Sequence, residues 1–158
     1  MGVEIERKFL VANDGWRNLS QGVLCRQGYL NRNKDRTVRV RSMDGRAYLT
    51  IKGLSYGATR QEYEYEIPLA DGNVLLDAVA EKPLVEKKRH HIPWGAALWV
   101  VDEFLGENTG LILAEIELAS ENEAFDAPPW IGAEVTRDSR YYNANLVKYP
   151  FSRWQAAP

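Results

Sequence analysis

The 158-residue chain reads as α+β and mainly β: eight short antiparallel strands closed into a barrel, with short helices packed outside. The first observation behind this is a spacing. Charged residues recur two apart in Glu4-Ile5-Glu6-Arg7-Lys8, Arg39-Val40-Arg41, Glu62-Tyr63-Glu64, Lys87-Lys88-Arg89 and Glu115-Ile116-Glu117, and Tyr48-Thr50-Lys52 repeats it. In a strand, residues i and i+2 share a face about 7 Å apart, and the residue between points the other way. One such stretch is an ordinary solvated sheet face. Six of them, of both signs, indicate a closed sheet with a polar lumen suited to a highly charged ligand. The second observation is the run of tight turns, which favours antiparallel neighbours. Closure then removes the sheet edges and gives each strand two different faces.

Strands are expected near 2–11, 23–31, 36–43, 46–53, 60–68, 84–92, 97–105 and 111–119. Asp44-Gly45 joins the third and fourth as a hairpin. Pro93-Trp94-Gly95 and the segment Gly106 to Gly110 supply two later turns. Residues 71–80 form an amphipathic helix with Asp71 as its cap, and 14–20 are a weaker helical segment. Ser120-Glu121-Asn122-Glu123 matches a capping box, so a brief helix starts there and stops at Pro128-Pro129. Asp138 or Ser139 caps a last helix running to about Val147. The whole forms one domain over 1–154, with 155–158 a frayed tail.

Composition narrows the function. The balance of 20 basic and 22 acidic residues gives a net charge of −2, without the basic excess of a general nucleic-acid binder. The lone Cys25 excludes an internal disulfide and a multi-cysteine zinc site, and reads as a packing residue. Charges at Glu4, Glu6, Arg7 and Lys8 are incompatible with a signal peptide. No apolar run approaches the roughly 20 residues of a membrane span. The expectation is a cytoplasmic protein acting without nucleic acid or membrane, and it leaves room for a homodimer.

Glu4-x-Glu6-x-Lys8 resembles the N-terminal signature of the CYTH superfamily, also called triphosphate tunnel metalloenzymes. Order and spacing extend the resemblance over about residues 3–146. Arg39-x-Arg41, Leu49-Thr50-Ile51-Lys52, Glu62-x-Glu64, Glu86-Lys87-Lys88-Arg89, Trp99-Val100-Val101-Asp102, Glu115-x-Glu117 and Arg140-Tyr141-Tyr142-Asn143 follow in turn. The resemblance implies an eight-stranded tunnel that binds a triphosphate with Mg²⁺ or Mn²⁺. It assigns Glu4, Glu6, Glu115 and Glu117 to metal, and Lys8, Arg39, Arg41, Lys52 and Arg89 to phosphate. Lys87 would assist the leaving group, with Tyr29 reaching the same region and Glu115 and Glu117 completing the catalytic set. The implied reaction is metal-dependent hydrolysis of inorganic triphosphate to pyrophosphate and phosphate. Hydrolysis of thiamine triphosphate or a nucleotide, cyclisation of ATP to cyclic AMP, and a non-catalytic polyphosphate-binding module are the alternatives.

The chemistry of the residues agrees. A triphosphate carries roughly four negative charges, for which guanidinium and ammonium groups are natural partners. Carboxylates repel phosphate, so they belong there only as ligands of a hard cation or as partners of the basic groups. Glu62 and Glu64 could take either role. Asp102 could act as a tunnel base, and Arg140 could either cap the tunnel or anchor the last helix. Lys88, Glu66 and Glu103 should face solvent. His90 and His91 point opposite ways and make a poor metal site, and Trp94, Trp99, Trp130 and Trp154 read as packing groups.

Overall fold

The computed structural model describes residues 2–156. Nine strands form one antiparallel sheet: β1 (Gly2–Val11), β2 (Val23–Asn31), β3 (Arg36–Met43), β4 (Arg46–Gly53), β5 (Thr59–Ile67), β6 (Val85–Trp94), β7 (Ala97–Phe104), β8 (Ile112–Glu117) and β9 (Ile131–Glu134). The order is β5-β4-β3-β2-β6-β7-β8-β1-β9, and β1 also pairs with β5, which closes the first eight into a barrel. β1 is the closing strand because of its length. Gly2–Ile5 pair with β5, Glu6–Leu10 with β8, and Phe9 and Val11 with β9 on the edge that β5 leaves free.

The Asp44-Gly45 hairpin has φ of 55° and 73° at its two central residues, the left-handed pair that a two-residue turn of this twist requires. β9 was not expected. It is four residues long, follows Pro128-Pro129 and contains Gly132, so it carries little strand propensity. Gly132 is needed there, since a Cβ would lie 3.1 Å from the Leu10 carbonyl oxygen of β1.

The helices depart more from expectation. α1 spans Leu69–Val74, and a wider π-type turn continues it over Leu75–Val79. It starts before Asp71, whose side chain makes no cap. Gly72 brings α1 against the barrel wall, where a Cβ would sit 2.4 Å from that of Ala47. Residues 14–20 form turns around the buried Trp16. The capping box expected at Ser120 does not form: Glu123 Oε1 accepts from the Ala119 N–H at 2.6 Å, the Glu123 N–H donates to the Ser120 backbone carbonyl at 3.2 Å, and no helix follows. Too few residues remain before Pro128-Pro129, which push the preceding backbone out of the helical region. The last helix is broken at Tyr142 into a 3₁₀ turn, Ser139–Tyr141, and α2, Asn143–Leu146. Gln155 and Ala156 close a 3₁₀ turn from Phe151. Residues 157–158 of the expected tail lie outside the described residues. Among the described residues no helix is long and apolar enough to cross a membrane.

Because the lumen is polar, the larger apolar core sits outside the wall. Phe9, Ile92, Trp99, Val101, Ala114 and Ile116 project outward and are covered by Trp16, Leu118 and Trp130. A second cluster joins Tyr29, Val85, Phe104 and Leu113 to Leu146 and Val147. These strand residues are in phase with the inward-facing Gln27, Lys87, Asp102 and Glu115, so apolar side chains fill the lumen's end against α2.

Candidate active site

Strand register puts the charged rows on one interior surface. Glu6 lies opposite Glu117, Lys8 opposite Glu115, Glu4 opposite Arg60, Lys52 opposite Glu62, Thr50 opposite Glu64, and Arg89 opposite Asp102. The result is one cavity of about 440 Å³ lined by Glu4, Glu6, Lys8, Tyr29, Arg39, Arg41, Lys52, Glu62, Glu64, Lys87, Arg89, Glu115 and Glu117. The acidic wall belongs to β1 and β8. The guanidiniums belong mainly to β3, β5 and β6.

Most of these cations have an anionic partner. Lys8 Nζ lies 3.2 Å from Glu115. Lys52 sits between Glu4 at 3.1 Å and Glu62 at 3.0 Å. Arg39 and Arg41 both reach Glu64 Oε1, at 3.5 and 3.1 Å, and the Thr50 hydroxyl donates to the same oxygen at 2.7 Å. Glu62 and Glu64 are therefore held in internal salt bridges while still lining the cavity. The Nε atoms of Arg39 and Arg41 are buried and have no acceptor among the described residues. Two orphaned guanidinium donors beside a cavity are suited to an anion.

Sequence reasoning missed Arg60. It shares the inward phase of Glu62 and Glu64 on β5, a signal present in Arg60-x-Glu62-x-Glu64. It lines the cavity with no carboxylate partner among the described residues, donating instead to the Gly53 carbonyl at 2.6 Å and to Thr37 Oγ1 at 2.9 Å. Asn143 was also missed, and its oxygen accepts from Lys87 at 2.8 Å.

The electrostatics separate the carboxylates. Burial pushes Glu115 up, but Lys8 above all, with Arg89 and Lys87, outweighs it and holds the group at about 2. Glu6 goes the other way. Burial, then Glu115 and Glu4, hold its carboxyl well above the usual range, and among the described residues it has no ion-pair partner. Burial likewise raises Glu4 and Glu117. Lys8 stays well protonated, since Glu115 and Glu6 overcome the burial that opposes its charge. Burial lowers Lys87 despite Asp102 beside it.

Two expected site residues lie elsewhere. Asp102 is not a lining base: it is buried in the wall, bound to Lys87 at 2.8 Å and to Arg89 at 2.8 and 2.9 Å. Burial alone would raise it, but Arg89 and Lys87 keep it far below the carboxylate range and leave it no useful basicity. Arg140 does not cap the tunnel. It is exposed, pairs with Asp138 at 2.7 Å and stacks over Trp154, which anchors the C-terminal segment. Lys88 faces solvent, His90 is buried edge-on to Trp16, and His91 is exposed on the opposite phase.

A closed antiparallel barrel with a mixed-charge lumen defines a recognisable class. The CYTH domain matches residues 2–148, and the chain belongs to that family. A protein named inorganic triphosphatase from Acetivibrio thermocellus is 52% identical over 155 residues, covering 98% of this chain and 99% of its own. Another of that name, from Nitrosomonas europaea, is 41% identical and covers 91% and 96%. A crystal structure of an inorganic triphosphatase superposes with a TM-score of 0.64 at 37% identity, over 91% of this chain and 93% of its own.

Proposed function

We propose that the chain hydrolyses inorganic triphosphate to pyrophosphate and phosphate, with Mg²⁺ or Mn²⁺ on the acidic wall. One observation carries this reading: one cavity opposes Glu4, Glu6, Glu115 and Glu117 to Arg39, Arg41, Arg60 and Arg89. A polyanion alone would need only the second group, and a cation alone only the first.

The residues fit a divalent cation. Glu6 is a carboxylate crowded by carboxylates and, among the described residues, left without an ion-pair partner, a cost that a bound cation would offset. Among the described residues no three His, Cys, Asp or Glu side chains form a ready-made cage. Mg²⁺ and Mn²⁺ need no such cage, since they take one or two carboxylates and complete their shell with water and phosphate oxygens. When bound, the cation supplies Lewis-acid polarisation and a more acidic water.

The chain's own residues do the rest. Arg39, Arg41, Arg60 and Arg89 hold the phosphate oxygens and neutralise charge, which is most of what phosphoryl transfer asks of a protein. Two of the three N–H groups of Lys87 are engaged, by Asp102 and Asn143, leaving the third for the departing diphosphate oxygen. Charge grows on that oxygen as the bond breaks, so this contact strengthens towards the transition state. The names of the relatives at 52% and 41% identity favour inorganic triphosphate over an organic triphosphate or ATP cyclisation. The acidic wall favours turnover over mere polyphosphate binding. We assign the activity to the cytoplasm, without nucleic acid or membrane. A phosphate-release panel of triphosphate, ATP, thiamine triphosphate and pyrophosphate, each with Mg²⁺, Mn²⁺ or chelator, tests the proposal. Triphosphate with metal should lead, and preferred cleavage of any other substrate would overturn it.

A further inference from the structure

The wall behind Lys87 carries a chain of neutral amides that the reaction scheme does not use. Gln27 on β2 is fully buried. Its Nε2 donates to the Tyr29 hydroxyl oxygen at 3.1 Å and to Asn143 Oδ1 at 3.1 Å. The same Asn143 oxygen accepts from Lys87 Nζ at 2.8 Å. Because two donors converge on it, the Asn143 amide has one orientation. Because Tyr29 accepts from Gln27, its own proton is directed elsewhere, free to be donated into the cavity that Tyr29 lines.

We infer that Asn143 and Gln27 are positioning residues: they hold the Lys87 ammonium and the Tyr29 hydroxyl as a pair of aimed donors, although the two are borne by different strands. Asn143 belongs to α2, the segment that fills one end of the lumen, so docking of α2 and the orientation of Lys87 are the same event. A neutral acceptor at 143 has a definite consequence. Asp102 already supplies Lys87 with an anion, and a second carboxylate would stabilise the ammonium further and make it a poorer proton donor. The charged or titratable groups facing Lys87 are Asp102 on β7, Arg89 on β6, Cys25 on β2 and Glu115 on β8. Asn143 and Gln27 add no charge to that set.

The inference rests on the triphosphatase reading for its kinetic consequence but not for its structural one, so two readouts are needed. In steady-state turnover of triphosphate, Asn143→Ala should lower kcat about tenfold with KM changed less than about twofold, the loss of one oriented hydrogen bond. In the Lys87→Ala background the same substitution should cause no further loss. Equal losses in both backgrounds would overturn the inference. Independently of turnover, the Lys87 ammonium can be titrated by NMR of side-chain-labelled lysine, assigned by its disappearance in Lys87→Arg. Asn143→Asp, which keeps the shape, should raise its titration midpoint by about one unit, and Asn143→Ala should lower it. Gln27→Leu should lower kcat as Asn143→Ala does. Midpoints unmoved in both Asn143 variants would overturn the inference even if the enzyme hydrolyses triphosphate. Midpoints that shift as stated in a protein inactive on triphosphate would uphold the positioning and refute the substrate.

Discussion

Arg89 grips Asp102 through both carboxylate oxygens, at 2.8 and 2.9 Å, inside a wall where Asp102 is 1% exposed. Lys87 closes on the same carboxylate at 2.8 Å. One anion therefore anchors two of the cations aimed at the cavity, and it acts as a support rather than as a base. Asp102→Ala would leave two buried cations without a counter-charge. Removing one partner of a buried pair costs about 3–5 kcal/mol, and denaturant unfolding should show a loss of that order. Asp102→Asn should lose less, because the amide oxygen still accepts one hydrogen bond.

Glu115 sets an acid limit on stability. Its folded value, about 2, lies below the 4.5 it takes when unperturbed, so the folded state holds its proton less readily than the unfolded one. The stabilisation is present above about pH 4.5 and is lost as pH falls towards 2. Unfolding free energy should decline across that window. Glu115→Gln should flatten the decline, and an unchanged slope would contradict the Lys8–Glu115 pairing.

Glu6 is strained in the opposite sense. Its raised value means that the folded state disfavours the ionised carboxylate, so at neutral pH the group works against folding. Without metal, Glu6→Gln should raise the melting temperature. Mg²⁺ or Mn²⁺ should raise the melting temperature of the wild type and do markedly less for the variant, since ligand binding to the native state stabilises by mass action. Equal metal responses would remove Glu6 from the cation site.

Arg60 offers a way to weaken binding without disturbing the barrel. It makes no ion pair among the described residues, so Arg60→Ala removes no partner of another charge. A charge-assisted hydrogen bond contributes about 1.5–3 kcal/mol, or about ten- to hundredfold in Kd. Calorimetry with triphosphate should show a loss in that range with little change in unfolding. Arg39→Ala and Arg41→Ala should also weaken binding, but each additionally frees Glu64 from one of its partners.

The period-2 rows made the lumen legible. Lys87 is buried and Lys88 exposed as their phases require, and Glu4, Glu6 and Lys8 line the cavity together. What one strand cannot reveal is which residue of another strand stands opposite. The Arg89–Asp102 register supplies that fact, and it turns Asp102 from a candidate base into an anchor. Arg60 was hidden for a different reason: it stands two residues before a pair of glutamates in the same row and carries the opposite charge. Local helix signals were the least informative. The capping-box pattern at Ser120 gives only a turn, with Glu123 Oε1 on the Ala119 N–H, because the prolines downstream leave too little chain to propagate a helix. Asn143 fell in a helix expected to be continuous; it instead opens α2 just after the break at Tyr142, with its side-chain oxygen on Lys87.

The most direct test of the central claim follows oxygen rather than phosphate release alone. Triphosphate should be incubated with the enzyme and Mg²⁺ in ¹⁸O-labelled water and the products resolved by ³¹P NMR. The account predicts equal amounts of phosphate and pyrophosphate, with the label in phosphate, because water attacks a terminal phosphorus and pyrophosphate departs. Excess chelator should abolish the reaction. Label in pyrophosphate, onward cleavage of pyrophosphate, or full turnover in chelator would contradict it.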